Sequence, residues 1–338
     1  MQEIIVSANE AGQRFDKLLA KYLNEAPKSF IYKMLRKKNI VLNGKKASGN
    51  EKLAVGDSVK IFLADDTIAK FSRQEVVRTD EKLDIIYEDS NVLMINKPVG
   101  MLSQKAEMKD TSVVEHVISY LLDSGQITEE ELRSFKPSIC NRLDRNTSGL
   151  IIAGKSLIGL QVMGALFKER TLRKYYRCLV LGEIKEKKYI KGYLTKDENT
   201  NKVSILQSKE ADSLPIETEY RPLWSNERCT LLEVHLITGR THQIRAHLAS
   251  QGHAIIGDYK YGNRKINDEY NNKYKLESQL LHAYRVEMPK LDGALEVLSE
   301  KHFVAPLPTL FQTILDTEKR EGSFTWVHGI QEDLEVPL

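Results

Sequence analysis

A chain of 338 residues with 29% charged and 41% hydrophobic side chains is long enough for about two domains and has an ordinary globular make-up. The net charge of +3 says little about partners on average. No apolar run approaches the ~20 residues of a membrane span, and the opening MQEIIVSANEAGQRFD lacks the basic and apolar segments of a signal peptide.

In chain order, Phe15, Leu18, Leu19, Tyr22 and Leu23 recur at helical spacing and mark one apolar face. The next segment, KSFIYKMLRKK, places Phe30, Ile31, Met34 and Leu35 on one side and Lys33, Arg36, Lys37 and Lys38 on the other. IVLNGKKA reads as a strand running into an Asn43-Gly44 turn. SVKIFL alternates Val59, Ile61 and Leu63 with outward positions. Within this unit Lys28, Lys33, Arg36, Lys37, Lys38, Lys45 and Lys46 form a run of seven cations with no acid among them. Such a run is either a solvated face or a nucleic-acid footprint. In the second case its phosphate contacts give affinity without sequence choice. The unit spans about residues 13–64, and the polar stretch 65–82 reads as a linker.

A second domain, residues 83–316, opens with a buried strand at 91–97 that Pro98-Val99-Gly100 stops. Two helices are expected next, each with a capping-box pattern: Ser112 with Glu115, and Thr128 with Glu131. Leu150 to Ala153 is a short branched strand, after which Ser156 caps a helix carrying Leu157, Leu160 and Phe167. Further strands are expected at 175–181 and 230–237, and a helix at 241–250 ending at Gly252. Residues 263–279 lack an apolar period and read as a long loop. Residues 317–338 read as a tail. The three cysteines, Cys140, Cys178 and Cys229, lie far apart, suggest neither disulfides nor a zinc module, and fit a reducing cytosol.

GLIIAGKS, Gly149 to Ser156, matches the phosphate-loop pattern literally. Its context is wrong: the strand lies between the two glycines instead of before the first, and only Gly154 and Lys155 are left to turn. No nucleotide cofactor is expected.

Two stretches can carry chemistry. Asp144 sits between Arg142 and Arg145 before the 150–153 strand. Arginines beside a carboxylate favour its ionised form, which suits a nucleophile or an electrostatic stabiliser. A structural Asp–Arg pair is the plainer alternative. Gly239 to Arg245, GRTHQIR, concentrates donors from Arg240, His242, Gln243 and Arg245 in one turn; a capped surface helix is the plainer reading there. His242 and His247 are five residues apart and no HExxH is present, so no metal site is expected.

Taken together, these blocks resemble the RluA family of RNA pseudouridine synthases. RLDRNTSG (142–149) is similar to that family's H-R-L-D-x-x-T-S-G. NKPVG (96–100) is similar to N-K-P-x-G, and Lys174-Tyr175-Tyr176 to K-x-Y. GRTHQIR with Gly252-His253 and Gly257-Asp258 is similar to its late block, and Leu281-His282-Ala283 to L-H-A. Separately, Arg14 to Leu63 resembles an S4 RNA-binding module. The resemblance covers roughly residues 13–290.

It implies an α+β protein: a small S4-like module followed by a mixed-sheet catalytic domain. It implies isomerisation of uridine to pseudouridine, with large-subunit (23S) ribosomal RNA as partner, no cofactor, no metal and a monomeric protein in the cytoplasm. By resemblance Asp144 is the nucleophile, Arg245 pairs with it, and Tyr176 stacks on the base. Arg142 fills the vacated space in the RNA. Arg240, His242, Gln243 and the seven N-terminal cations contact RNA. Asn141 departs from the pattern, which has His there. The alternative is an RNA-binding protein with a degenerate synthase body. A glycoside hydrolase would need a second carboxylate facing Asp144.

Overall fold

In the computed structural model, which describes residues 1–72 and 76–321, the N-terminal unit starts earlier than its helical pattern. β1 (Gln2–Ile5), β2 (Ile40–Leu42) and β3 (Ser58–Ile61) form an antiparallel sheet in the order β1-β3-β2. α1 (Phe15–Tyr22) and α2 (Lys28–Arg36) bury Phe15, Leu18, Leu19, Ile31 and Leu35 against it. Asn43 and Gly44 both have positive φ, 50° and 72°, as a two-residue turn of this hand requires.

The stretch expected to be a linker instead begins with α3 (Asp65–Phe71). Ile68 is buried in the N-terminal core, and the Phe71 ring lies 4.5 Å from that of Phe30. A seven-residue helix needs only such anchors, too few to make a periodic signal. Residues 73–75 of that stretch lie outside the described residues.

The second unit is a mixed sheet of eleven strands. It comprises β4 (Ile85–Glu88), β5 (Val92–Lys97), β6 (Ser138–Ile139), β7 (Ser148–Gly154), β8 (Arg173–Leu181), β9 (Lys188–Asp197), β10 (Lys202–Leu206), β11 (Leu214–Ser225), β12 (Cys229–Leu236), β13 (Leu281–Glu287) and β14 (His302–Val304). The spatial order is β10-β9-β11-β12-β8-β13-β7-β5-β4, with β6 beside β7 and β14 beside β13. The pairing of β7 with β13 is parallel. With helices on its faces the architecture is α+β.

All seven residues of β7 are buried, which explains the glycines of the phosphate-loop match. A Cβ on Gly149 would stand 2.2 Å from Ala283 O on β13, and one on Gly154 would stand 2.5 Å from Leu160 on α5 (Leu157–Glu169). The lysine of that match, Lys155, donates from Nζ to Glu88 Oε1 at 2.6 Å and Asp89 O at 2.7 Å. Both glycines serve close packing, and the lysine serves an internal ion pair.

α4 (Val113–Asp123) carries the first capping box. The second box forms, with the Thr128 N–H donating to Glu131 Oε2 at 2.8 Å, yet it holds only a 3-10 turn at Glu131–Arg133. α6 (Gln243–Ser250) starts two residues later than expected.

The predicted loop at 263–279 contains α7 (Arg264–Tyr274). Its inward face is made by Asn267 and Tyr270, and Asn267 Oδ1 accepts from the Gly257 N–H at 2.8 Å, so an apolar period is absent although the face is buried. α8 (Thr309–Glu321) runs through the start of the expected tail. Phe311, Ile314 and Leu315 anchor it, and Glu318 accepts from Tyr270 Oη at 2.8 Å. Residues 322–338 lie outside the described residues.

The two units touch. Ser134 Oγ donates to Glu10 Oε1 at 2.6 Å, and the Arg133 guanidinium lies 4.0 Å from the Tyr22 ring centroid.

Candidate active site

The loop 142–147 enters β7 and is fastened on both sides. Ser103 Oγ accepts from the Leu143 N–H at 3.0 Å and donates to Leu143 O at 2.7 Å. Lys97, at the end of β5 and 1% exposed, donates to the carbonyls of Pro98, Met101 and Arg145 at 2.8–3.0 Å. Burial pushes its pKa down to about 7. Three acceptors for its three hydrogens nevertheless suit the ammonium form. Upstream, Asn141 continues the β6–β7 ladder with its side chain: Nδ2 donates to Leu150 O and Oδ1 accepts from the Ile152 N–H. At the position where the family motif has His, this chain therefore uses its side chain to brace the strand.

Asp144 projects from that loop into a cleft of about 1000 Å³. Among the described residues, nine Lys and Arg side chains line this cleft against one carboxylate, that of Asp144. A hydrolase's facing acid is therefore missing from it.

The partner of Asp144 is a distant arginine, not its sequence neighbours. Arg245 on α6 donates from Nη1 to Asp144 Oδ2 at 3.0 Å, while Arg145 donates from Nε to Gly100 O. Arg245 is in turn gripped by Asp258, which accepts from its Nε at 2.7 Å and its Nη2 at 3.0 Å. Asp258 is fully buried. Burial works against the charge on Arg245, but the two carboxylates outweigh it and hold its pKa above the usual value. The fork leaves one guanidinium edge for Asp144, so the carboxylate is aimed by a group that cannot itself swing.

Tyr176 on β8 closes the floor of the cleft and is 8% exposed. Burial, helped by the Asp144 charge, pushes its pKa well above the usual phenol value. It is a neutral phenol at physiological pH.

His242 has φ of 52° at the start of α6. Tyr261 Oη accepts from the Val203 N–H at 2.9 Å and lies 2.9 Å from His242 Nδ1. The other ring nitrogen, His242 Nε2, lies 3.7 Å from Asp144 Oδ2. Burial pushes the His242 pKa down, against the pull of Asp144.

Gln243, at the edge of the cleft, is 2% exposed; its Oε1 accepts from Thr238 Oγ1 and the Arg240 N–H, and its Nε2 donates to Glu217 O and Thr218 Oγ1. The last two bonds tie α6 to β11.

Arg142 is exposed at the cleft, and Arg240 also lines it. Lys28, Lys33, Arg36, Lys37, Lys38, Lys45 and Lys46 are all exposed on α2 and the turns after it. The sequence alone assigned no role to Ser103, Lys97, Asp258 or Tyr261. Asp258 and Lys97 stood inside recognisable motifs, but nothing in their spacing showed whom they would touch. Ser103 and Tyr261 carried no signal.

A family model described as RNA pseudouridylate synthase matches residues 91–250. The chain is 33% identical over 313 residues to the ribosomal large subunit pseudouridine synthase C of Vibrio parahaemolyticus, covering 88% of this chain and 92% of that protein. It is 32% identical over 310 residues to the protein of the same name from Vibrio vulnificus, with the same coverage. The solved structure of human RNA pseudouridylate synthase domain containing 4 aligns with a TM-score of 0.55 at 23% identity, covering 70% of this chain and 92% of that one, a likeness of fold.

Proposed function

The chain belongs to the RNA pseudouridylate synthase family and is an RNA pseudouridine synthase; from that premise we propose that it isomerises particular uridines of large-subunit (23S) ribosomal RNA with Asp144 as its nucleophile. The observation that carries this is the isolation of Asp144: among the described residues it is the one carboxylate in a cationic cleft, aimed by an arginine that a buried aspartate holds.

Isomerisation breaks the bond between N1 of uracil and C1′ of ribose, turns the base, joins C5 to C1′ and releases the C5 proton. An ionised carboxylate at the ribose serves either route to bond breaking, addition to the sugar or formation of a glycal. Arg245 keeps Asp144 oriented through both. Tyr176 stacks on the base and, as a neutral phenol, can relay the C5 proton but is not a ready base. The uridine must leave its stack to reach this floor, at a cost of a few kcal/mol, and Arg142 at the cleft mouth suits the role of filling the gap. The reaction has no redox step and needs no cofactor.

In this reading the N-terminal unit, with 13–64 as its centre and β1 and α3 added to it, acts as an S4-like RNA-binding module, and the mixed-sheet unit from about residue 83 through α8 acts as the catalytic domain. Seven exposed cations on the first unit support this.

The test is tritium release from C5-labelled uridine in ribosomal RNA, wild type against Asp144→Asn. Release by the wild type alone is expected. Release by both would remove Asp144 from the mechanism.

A further inference from the structure

Lys174 lies two residues before Tyr176 on β8. Strand alternation sends both side chains to one face, about 6.6–6.8 Å apart along the strand. Lys174 is half-buried, and its Nζ makes no hydrogen bond or ion pair among the described residues. A Cβ on Gly239 would stand 3.5 Å from that Nζ, so the ammonium rests against the backbone just before Arg240. Arg240 Nε is itself buried without a partner. Arg170, in the left-handed conformation at the end of α5, is close enough to disfavour the Lys174 charge, adding to the effect of burial. All three cations line the cleft that holds Asp144.

The contrast with other lysines of this unit is informative. Lys97 has three carbonyl acceptors, and Lys155 has Glu88 and the Asp89 carbonyl. A partly desolvated cation beside like charges is costly unless an anion completes it. The anion that an RNA brings into this cleft is its phosphodiester, which sits one sugar away from the base.

We propose that Lys174, with Arg240 and Arg170 beside it, is a phosphate-binding subsite that holds the backbone phosphate of the nucleotide whose base lies on Tyr176. The inference rests on the reading of Asp144 and Tyr176 as the reaction centre. A fixed phosphate one sugar from the base restrains the ribose and so presents C1′ to Asp144. Because a phosphate carries no base identity, the subsite positions the uridine without choosing it.

The experiment compares the full-length wild type with Lys174→Met and Lys174→Arg on a large-subunit ribosomal RNA transcript, measuring RNA binding across a salt series and tritium release. Loss of one phosphate contact should flatten the slope of log affinity against log salt by about 0.7–0.9 in Lys174→Met. Its affinity should fall about tenfold at low salt and converge on the wild type at high salt. Lys174→Arg should regain most of both. An unchanged slope in a Lys174→Met protein that unfolds at the wild-type temperature would overturn the proposal. So would a folded Lys174→Arg as impaired as Lys174→Met, since that pattern belongs to a proton-transfer role. Tritium release by the wild type against Asp144→Asn on the same RNA checks the reaction-centre reading separately, so the two failures look different.

Discussion

The N-terminal unit and the catalytic cleft are both rich in Lys and Arg, and they use them in opposite ways. On α2 and the turns after it the seven cations are exposed and make no ion pair among the described residues. In the cleft the central arginine is 8% exposed, and its three donating nitrogens are all committed to carboxylates. Long-range charge needs number and exposure. Aiming one carboxylate needs a single cation that cannot move. The same residue type therefore reads as affinity in one region and as geometry in the other.

The sharpest way to break this contrast is at Asp144. Asp144→Asn should reduce tritium release below detection while RNA affinity changes little, because one carboxylate among nine cations opposes binding if it does anything. A large loss of affinity would mean that the cleft, too, works by bulk charge.

Next in size is neutralisation of Lys28, Lys33, Arg36 and Lys37 to Gln. RNA affinity should fall by two to three orders of magnitude at low salt, with a much flatter salt slope, if each contacts a phosphate. Turnover at saturating RNA should persist. Substitution is cleaner than truncation here, since Glu10 and Tyr22 dock on Ser134 and Arg133. Wild-type affinity in this variant would leave the run a solvated face.

Asp258→Asn should lower kcat about a hundredfold by releasing Arg245. It should also cost roughly 3–5 kcal/mol of stability, because a buried arginine loses its main counter-charge. Thermal unfolding and tritium release read the two effects. A normal kcat would show that Asp144 alone is enough to hold Arg245 in place.

The two regions should also part in acid. The described N-terminal unit contains no histidine, whereas burial pushes His247 and His282 in the second unit down to about 4. Unfolded, each would bind its proton near 6.5. Between those values only the unfolded chain is protonated, so stability is intact above about pH 6.5 and falls as pH drops toward 4, by roughly 1.4 kcal/mol per unit for each histidine. Circular dichroism of variants His247→Asn and His282→Asn should show a shallower acid loss.

The smallest expected effect is at Tyr261→Phe. Loss of the hydroxyl that contacts His242 Nδ1 should reduce kcat a few-fold and shift the acid limb of its pH profile, with KM unchanged. An unchanged pH profile would confine Tyr261 to bracing Val203.

Legibility differed by the kind of contact. Helices with apolar stripes, such as α1 and α2, announced themselves. α7 did not, because Asn267 and Tyr270 make its buried face through hydrogen bonds that hydrophobic periodicity does not register. α3 was hidden by its polar composition. Arg245 and Asp144 were legible as a pair only through family resemblance, since 101 residues separate them. Gln243 shows the limit of that route: the motif marks the residue, but its bonds from α6 to β11 are visible only in the structure.

By itself, the sequence determined the family, the division into a cationic helix pair and a mixed-sheet body, and the chemical identity of the groups in the cleft. Those follow from local pattern and from residue type, which a linear chain displays. The tertiary structure decided which charges are spent. Asp258 reaching Arg245, Lys97 meeting three carbonyls and Lys174 meeting none among the described residues are outcomes of where strands far apart in sequence come to lie. Whether a cation is satisfied or waiting for an anion depends on burial and on partners within hydrogen-bonding distance, and neither is a property of the residue itself.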